Sequence, residues 1–134
     1  IVAGRIRGVV RAGDTAARLG GDEFAVLLEG VPDRAAVVTV ASKIRECLAE
    51  PYLFSGRDHR VSASIGIAMF PGDGPDLSSL LASADRAMYL AKANGRNVCQ
   101  LSAVADATSA PPAPDKALPE EWAGGDGPAV RASA

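Results

Sequence analysis

The run Arg18-Leu19-Gly20-Gly21-Asp22-Glu23-Phe24-Ala25-Val26-Leu27-Leu28 constrains the fold more than any other part of the chain. Two glycines and two carboxylates meet at a tight turn, between an apolar approach and an apolar exit. Glycine supplies the positive φ that such a turn demands, so residues 15–19 and 23–28 read as the arms of a β-hairpin. A tip of this kind can set backbone N–H groups against a phosphate or base while its carboxylates hold a divalent cation. An ordinary solvated glycine turn has the same composition, and the surrounding residues must decide between the two.

Upstream, Ile1, Val2, Ile6, Val9 and Val10 follow helical spacing, with Arg5, Arg7 and Arg11 interleaved. That helix is expected to stop near Ala12-Gly13, where Gly13 suits the left-handed residue after a helix. Neither a capping residue nor an initiator methionine precedes Ile1, so the pattern reads as the front of a longer domain. Downstream, Pro32 stops the hairpin, and Asp33 is placed to cap a helix with Val37, Val40, Ala41, Ile44 and Leu48 on one face. Pro51 ends that helix ahead of a short apolar segment, residues 52–54, and a polar tip, residues 55–58.

Residues 61–70 alternate. Val61, Ala63, Ile65 and Ile67 point one way; Ser62, Ser64, Gly66 and Ala68 point the other, a face of small residues over which something can pack closely. Asp76 is placed to cap a third helix striped by Leu77, Leu80, Leu81, Ala84, Ala87, Met88 and Ala91. It is expected to end at Asn94-Gly95, with residues 97–101 as a last strand. From residue 102 onward Ala, Pro, Gly and Ser dominate, and Trp122 is the one large aromatic side chain. Residues 1–101 therefore read as one domain, and residues 102–134 as a disordered tail.

Composition narrows the function classes. A net charge of −2 excludes a nucleic-acid binder working through a basic surface. Neither a bilayer-spanning apolar run nor a signal peptide is present, which points to the cytoplasm; any inner-membrane tether of a longer parent would lie upstream. Cys47 and Cys99 are far apart within apolar segments and read as buried free thiols. His59, flanked by Asp58 and Arg60, reads as solvated, so neither a zinc site nor a serine–histidine triad can be assembled.

Residues 18–24 resemble, letter for letter, the motif that names the GGDEF family, the diguanylate cyclases that condense GTP into cyclic di-GMP. Two further blocks agree in order and spacing: VSASIGIAMFPGDG at residues 61–74, and DRAMYLAKANGRN at residues 85–97. The resemblance covers residues 1–101 and implies an α+β fold. In it an antiparallel-rich sheet carries flanking helices, as in nucleotidyl cyclases and polymerase palms. The family's first strand bears a metal-binding aspartate, and its first helices bear guanine-reading residues. Nothing in this chain matches them, so the resemblance implies a domain lacking its first strand and first helices, with sheet edges exposed by the loss.

The resemblance also assigns roles. Asp22 becomes a metal ligand and proton acceptor, and Glu23 the neighbouring acid that supports metal binding. Two carboxylates about 4 Å apart repel by roughly 4 kcal/mol at an effective dielectric near 20, a cost that divalent cations offset. The implied cofactor is Mg²⁺ or Mn²⁺, two per active site. Gly20 and Gly21 let the backbone approach the nucleotide, while Lys92 and Arg96 grip the triphosphate. Arg11 and Asp14 form an RxxD five residues ahead of the turn, the family's site for inhibition by its product. The implied partners are GTP, cyclic di-GMP and a second copy of the domain, since catalysis needs a homodimer. For this chain alone catalysis is not expected. The competing expectation is a non-catalytic module that binds GTP, cyclic di-GMP or a protein.

Overall fold

A computed structural model of the chain describes residues 1–103 and 129–133. Helix α1 (Val2–Val9) ends earlier than its spacing predicts, and Val10 is already extended at φ −85° and ψ 155°. The cause is local: the Arg11 N–H donates to the Asp14 carboxylate at 2.8 Å, and so leaves the helical ladder. Gly13 does not adopt a left-handed conformation. A turn in which Asp14 N–H donates to the Arg11 carbonyl then opens strand β1 (Thr15–Gly20), which pairs antiparallel with β2 (Glu23–Leu27) as the alternation requires.

Helix α2 (Arg34–Ala49) is capped by the Asp33 carboxylate, which accepts from Ala36 N–H at 2.8 Å. Its buried face is Val37, Ala41, Ile44 and Leu48. Strands β3 (Tyr52–Phe54) and β4 (Arg57–His59) form a separate two-stranded hairpin turned by Ser55 and Gly56 at positive φ. Strand β5 (Ser64–Ala68) is shorter than the alternation suggests, because the Asp73 carboxylate takes the Met69 N–H at 2.7 Å and turns the chain. Helix α3 (Leu77–Ala93) opens on a reciprocal capping box between Asp76 and Ser79, and β6 (Cys99–Leu101) follows it.

The main sheet runs β1-β2-β7-β5-β6, where β7 is Ala129–Ser133. It is antiparallel except for the β5–β6 pair, which gives the antiparallel-rich α+β architecture expected. Strand β7 corrects the reading of everything beyond residue 102 as a tail. It lies at the centre of the sheet, paired along its full length with β2 on one side and β5 on the other. Sequence periodicity could not reveal it, because a five-residue strand of mostly small side chains carries little alternation signal. Of that tail, residues 104–128 and 134 lie outside the described residues.

Two cores cover the sheet. On one face Phe24, Val26, Leu28, Ile65, Ile67 and Val130 meet Ile6 of α1 and the buried stripe of α2. On the other, Ala25 and Ala68 meet Leu80, Leu81 and Ala84 of α3. Gly66 lets α3 descend onto the sheet, since a β-carbon there would overlap the Ala84 carbonyl and the Met88 amide. The small-residue face of β5 is the seat of α3.

Candidate functional site

The turn between β1 and β2 owes its shape to glycine. Gly20 and Gly21 take φ of 142° and 55°, and a register irregularity between Arg18 and Gly20 bends the hairpin tip. Arg18 braces it, its guanidinium donating twice to the Gly21 carbonyl at 2.9 and 2.6 Å. Arg18 was not singled out from the sequence, although its three-residue offset from Gly21 is the signal for such a brace.

Asp22 is exposed at the tip. It borders an open cleft of about 550 Å³ shared with Arg18, Phe24, Tyr52, Phe54 and His59. Glu23 is half-buried at the start of β2, and strand alternation places it on the face of Ala25, the α3 side. His59 is exposed, as expected, but sits edge-on to Phe54 with ring centroids 6.2 Å apart.

Register fixes what shares this end of the sheet. Glu23 stands in line with Ser133 and Ser64 across β2, β7 and β5. Ala68 packs on Leu80, Leu81 and Ala84, whereas Gly66 lies under Ala84 and Met88, so α3 runs from the Ala68 end toward the Ser64 end. Its last turn, with Lys92, and the following Arg96 therefore emerge at the end that carries the Gly20-Gly21-Asp22-Glu23 turn. Two strand spacings, about 10 Å, separate Glu23 from Ser64. The exit from α3 is strained: Gly95, Arg96 and Asn97 have φ of 104°, 61° and 52°. Arg96 N–H donates to the Ala91 carbonyl at 3.1 Å, and Arg45 donates to the Asn97 carbonyl at 3.2 Å, which fixes that conformation.

Arg11 and Asp14 are elsewhere. They sit at the opposite end of β1, about 17 Å from the tip by strand rise. The Asp14 carboxylate is engaged by Arg11 N–H at 2.8 Å and Glu29 N–H at 3.1 Å, tying the entry of β1 to the exit of β2. A hollow of about 210 Å³ there is lined by Arg11, Asp14, Glu29, Thr39 and Lys43 among others. Among the described residues no group of three or more His, Cys, Asp or Glu side chains gathers as a metal cluster.

The profile of the family described as diguanylate cyclase, GGDEF domain, matches residues 1–98. The chain belongs to the GGDEF family. One relative of this GGDEF domain is a bifunctional diguanylate cyclase/cyclic di-GMP phosphodiesterase, MucR of Pseudomonas aeruginosa, 52% identical over 72% of this chain and 14% of MucR. The cyclic di-GMP phosphodiesterase NbdA of the same organism is 38% identical over 75% of this chain and 13% of NbdA. The crystal structure of the GGDEF domain of TpbB, also from P. aeruginosa, superposes with a TM-score of 0.74 at 41% identity. That match covers 76% of this chain and 64% of the TpbB chain. The chain thus spans less than a quarter of the length of either curated relative. No helix among the described residues is long and apolar enough to cross a membrane.

Proposed function

We propose that this chain carries the catalytic turn of a diguanylate cyclase domain, which joins two GTP molecules into cyclic di-GMP and releases two pyrophosphates. The observation that carries this reading is the shared end of the sheet, where the Gly20-Gly21-Asp22-Glu23 turn and the Lys92–Arg96 end of α3 emerge together. In each of two equivalent steps the 3′-oxygen of one GTP bonds to the α-phosphorus of the other. The bond from that phosphorus to the β-bridging oxygen breaks, and pyrophosphate leaves. Asp22 takes up the hydroxyl proton. Gly20 and Gly21 expose backbone to the nucleotide, and Lys92 and Arg96 neutralise the triphosphate. The strained backbone at Arg96 supports this role, since such strain concentrates at binding sites.

Members of this family use a divalent metal, which acidifies the attacking hydroxyl and screens the leaving group. Asp22 and Glu23 are oxygen donors of the type that suits one Mg²⁺ completed by substrate phosphates. A second ion needs further ligands than these two acids offer, so no step is assigned to it. Arg11 and Asp14 serve product feedback in this reading, and activity requires two domains facing each other across a two-fold axis, each holding one GTP. The cyclase names of MucR and TpbB support the class of reaction.

A second reading is a GTP- or cyclic di-GMP-binding module without catalysis. It is favoured by the likeness to NbdA, named for phosphodiesterase activity alone, and by the two-acid donor set at the turn. The test is to incubate the purified chain with GTP and Mg²⁺, separate the nucleotides, and measure GTP binding in parallel. The expected result is binding that weakens in Asp22→Asn and Lys92→Ala, with no cyclic di-GMP formed by the chain alone. Binding indifferent to both substitutions would overturn both readings of this site.

A further inference from the structure

Asp14 ties two stretches of backbone together at the end of the hairpin remote from its tip. Its Oδ2 accepts from the Arg11 N–H at 2.8 Å, and its Oδ1 from the Glu29 N–H at 3.1 Å. Both oxygens are thus committed to the chain, and the two residues that donate to them are held side by side. Glu29, two residues beyond β2, is exposed. Among the described residues its carboxylate has neither a hydrogen bond nor an ion pair. Lys43 lines the same hollow of about 210 Å³ without pairing to it. The hollow therefore holds one committed carboxylate, Asp14, and one uncommitted carboxylate, Glu29, beside the exposed Arg11 side chain.

Guanine carries the acceptors O6 and N7 on one edge and the donors N1–H and N2–H on the adjoining edge. An arginine fork fits the first edge, and a carboxylate with both oxygens free fits the second. The hollow is smaller than the roughly 300–1,000 Å³ that a drug-sized ligand fills, so it suits one base rather than a whole cyclic dinucleotide. Val31, Pro32 and Val40 give it apolar walls for the face of that base. We infer that Glu29 reads the donor edge of guanine in this hollow, and that Asp14 is a positioning residue acting through Arg11 and Glu29. To take both donors itself, Asp14 would have to release the two amides that shape the site. The inference rests on the product-feedback reading of Arg11 and Asp14, and it gives that site its base specificity.

The test is calorimetric titration of the full chain with cyclic di-GMP and with its hypoxanthine analogue, which lacks only the exocyclic amine of each base. The unmodified chain is expected to prefer the guanine form by at least about ten-fold, because the analogue leaves an acceptor of the site unpaired. Glu29→Gln keeps the size of an exposed side chain and removes its charge and one acceptor oxygen. It is expected to weaken cyclic di-GMP about ten-fold and to cut the preference below about three-fold. Asp14→Ala is expected to weaken both ligands by a similar factor and to keep the preference. A residue that merely supported the fold would weaken both ligands alike, so the ratio of the two affinities is the readout. If Asp14→Ala binds neither ligand, the ratio in Glu29→Gln decides alone. An intact preference in Glu29→Gln, with Arg11→Ala still weakened, would overturn the role of Glu29 and leave the feedback site standing. Cyclic di-GMP that fails to bind the unmodified chain, or binds Arg11→Ala equally well, would overturn the feedback reading and this inference with it.

Discussion

Gly66 lies directly beneath Ala84, so close that a β-carbon on Gly66 would overlap the Ala84 carbonyl oxygen. The neighbour is helix backbone, which cannot swing aside as a flexible side chain can. Gly66→Ala is therefore expected to destabilise the domain by about 3 kcal/mol, near the upper range for overpacked cores, and Gly66→Val by more. Urea denaturation followed by circular dichroism measures both, and an alanine variant within about 0.5 kcal/mol of the parent would contradict the close seat of α3.

Arg5 fastens α1 to the end of α2. Its guanidinium donates to the carbonyls of Cys47, Glu50 and Pro51 at 2.8, 2.7 and 2.6 Å, and it lies 3.7 Å from the centre of the Tyr52 ring. Arg5→Ala should cost about 2 kcal/mol, because one charged fork serves several orphan carbonyls. Arg5→Lys should recover only part of that, since an ammonium cannot span the same carbonyls and ring. Thermal melts of the two variants check the order.

Asp14 and Arg11 separate stability from binding at the proposed feedback site. Asp14→Ala releases Arg11 N–H and Glu29 N–H, and is expected to cost about 1–2 kcal/mol whatever the ligand. The Arg11 side chain is exposed, so Arg11→Ala should leave stability within about 0.5 kcal/mol. Calorimetric titration with cyclic di-GMP should nonetheless show both variants weakened. Full affinity in Arg11→Ala would remove that residue from the site.

Two groups give pH dependences of defined sign. The amide and hydroxyl of Ser79 hold the Asp76 carboxyl below its ordinary value of 3.8. Its cap is thus complete above 3.8 and is lost only as pH falls through the lower folded value. Burial first of all pushes the Cys99 thiol above its ordinary 9.0, partly opposed by Arg45. The folded state then holds that proton more tightly than the unfolded chain, so stability is level below 9.0 and declines as pH rises from there toward the folded value. Alkylation at pH 8 should find Cys99 slower than an unperturbed thiol, since the thiolate is the reactive form.

Much of this arrangement was legible in the sequence, for local reasons. Asp33 and Asp76 cap α2 and α3 as their positions implied, and the alternation of Ala63, Ile65 and Ile67 marks the buried face of β5. The end of α1 was not legible, because a side chain three residues ahead, Asp14, diverts the Arg11 amide. The separation of Arg11 and Asp14 from Asp22 was legible, because residues 15–19 read as the strand between them and β1 is that strand.

The sequence by itself determined the family and the elements other than β7, because helix caps, glycine turns and strand alternation are written in neighbouring residues. It determined the turn at Gly20 and Gly21 for the same reason: positive φ is a property of the residue type. The tertiary structure alone decided that Lys92 and Arg96 share an end of the sheet with Glu23, since that depends on the direction in which α3 crosses Gly66. It also decided that Ala129–Ser133 fills the middle of the sheet. Main-chain pairing is nearly blind to side-chain identity, so a strand recruited from residues this remote leaves almost no mark in the sequence that encodes it.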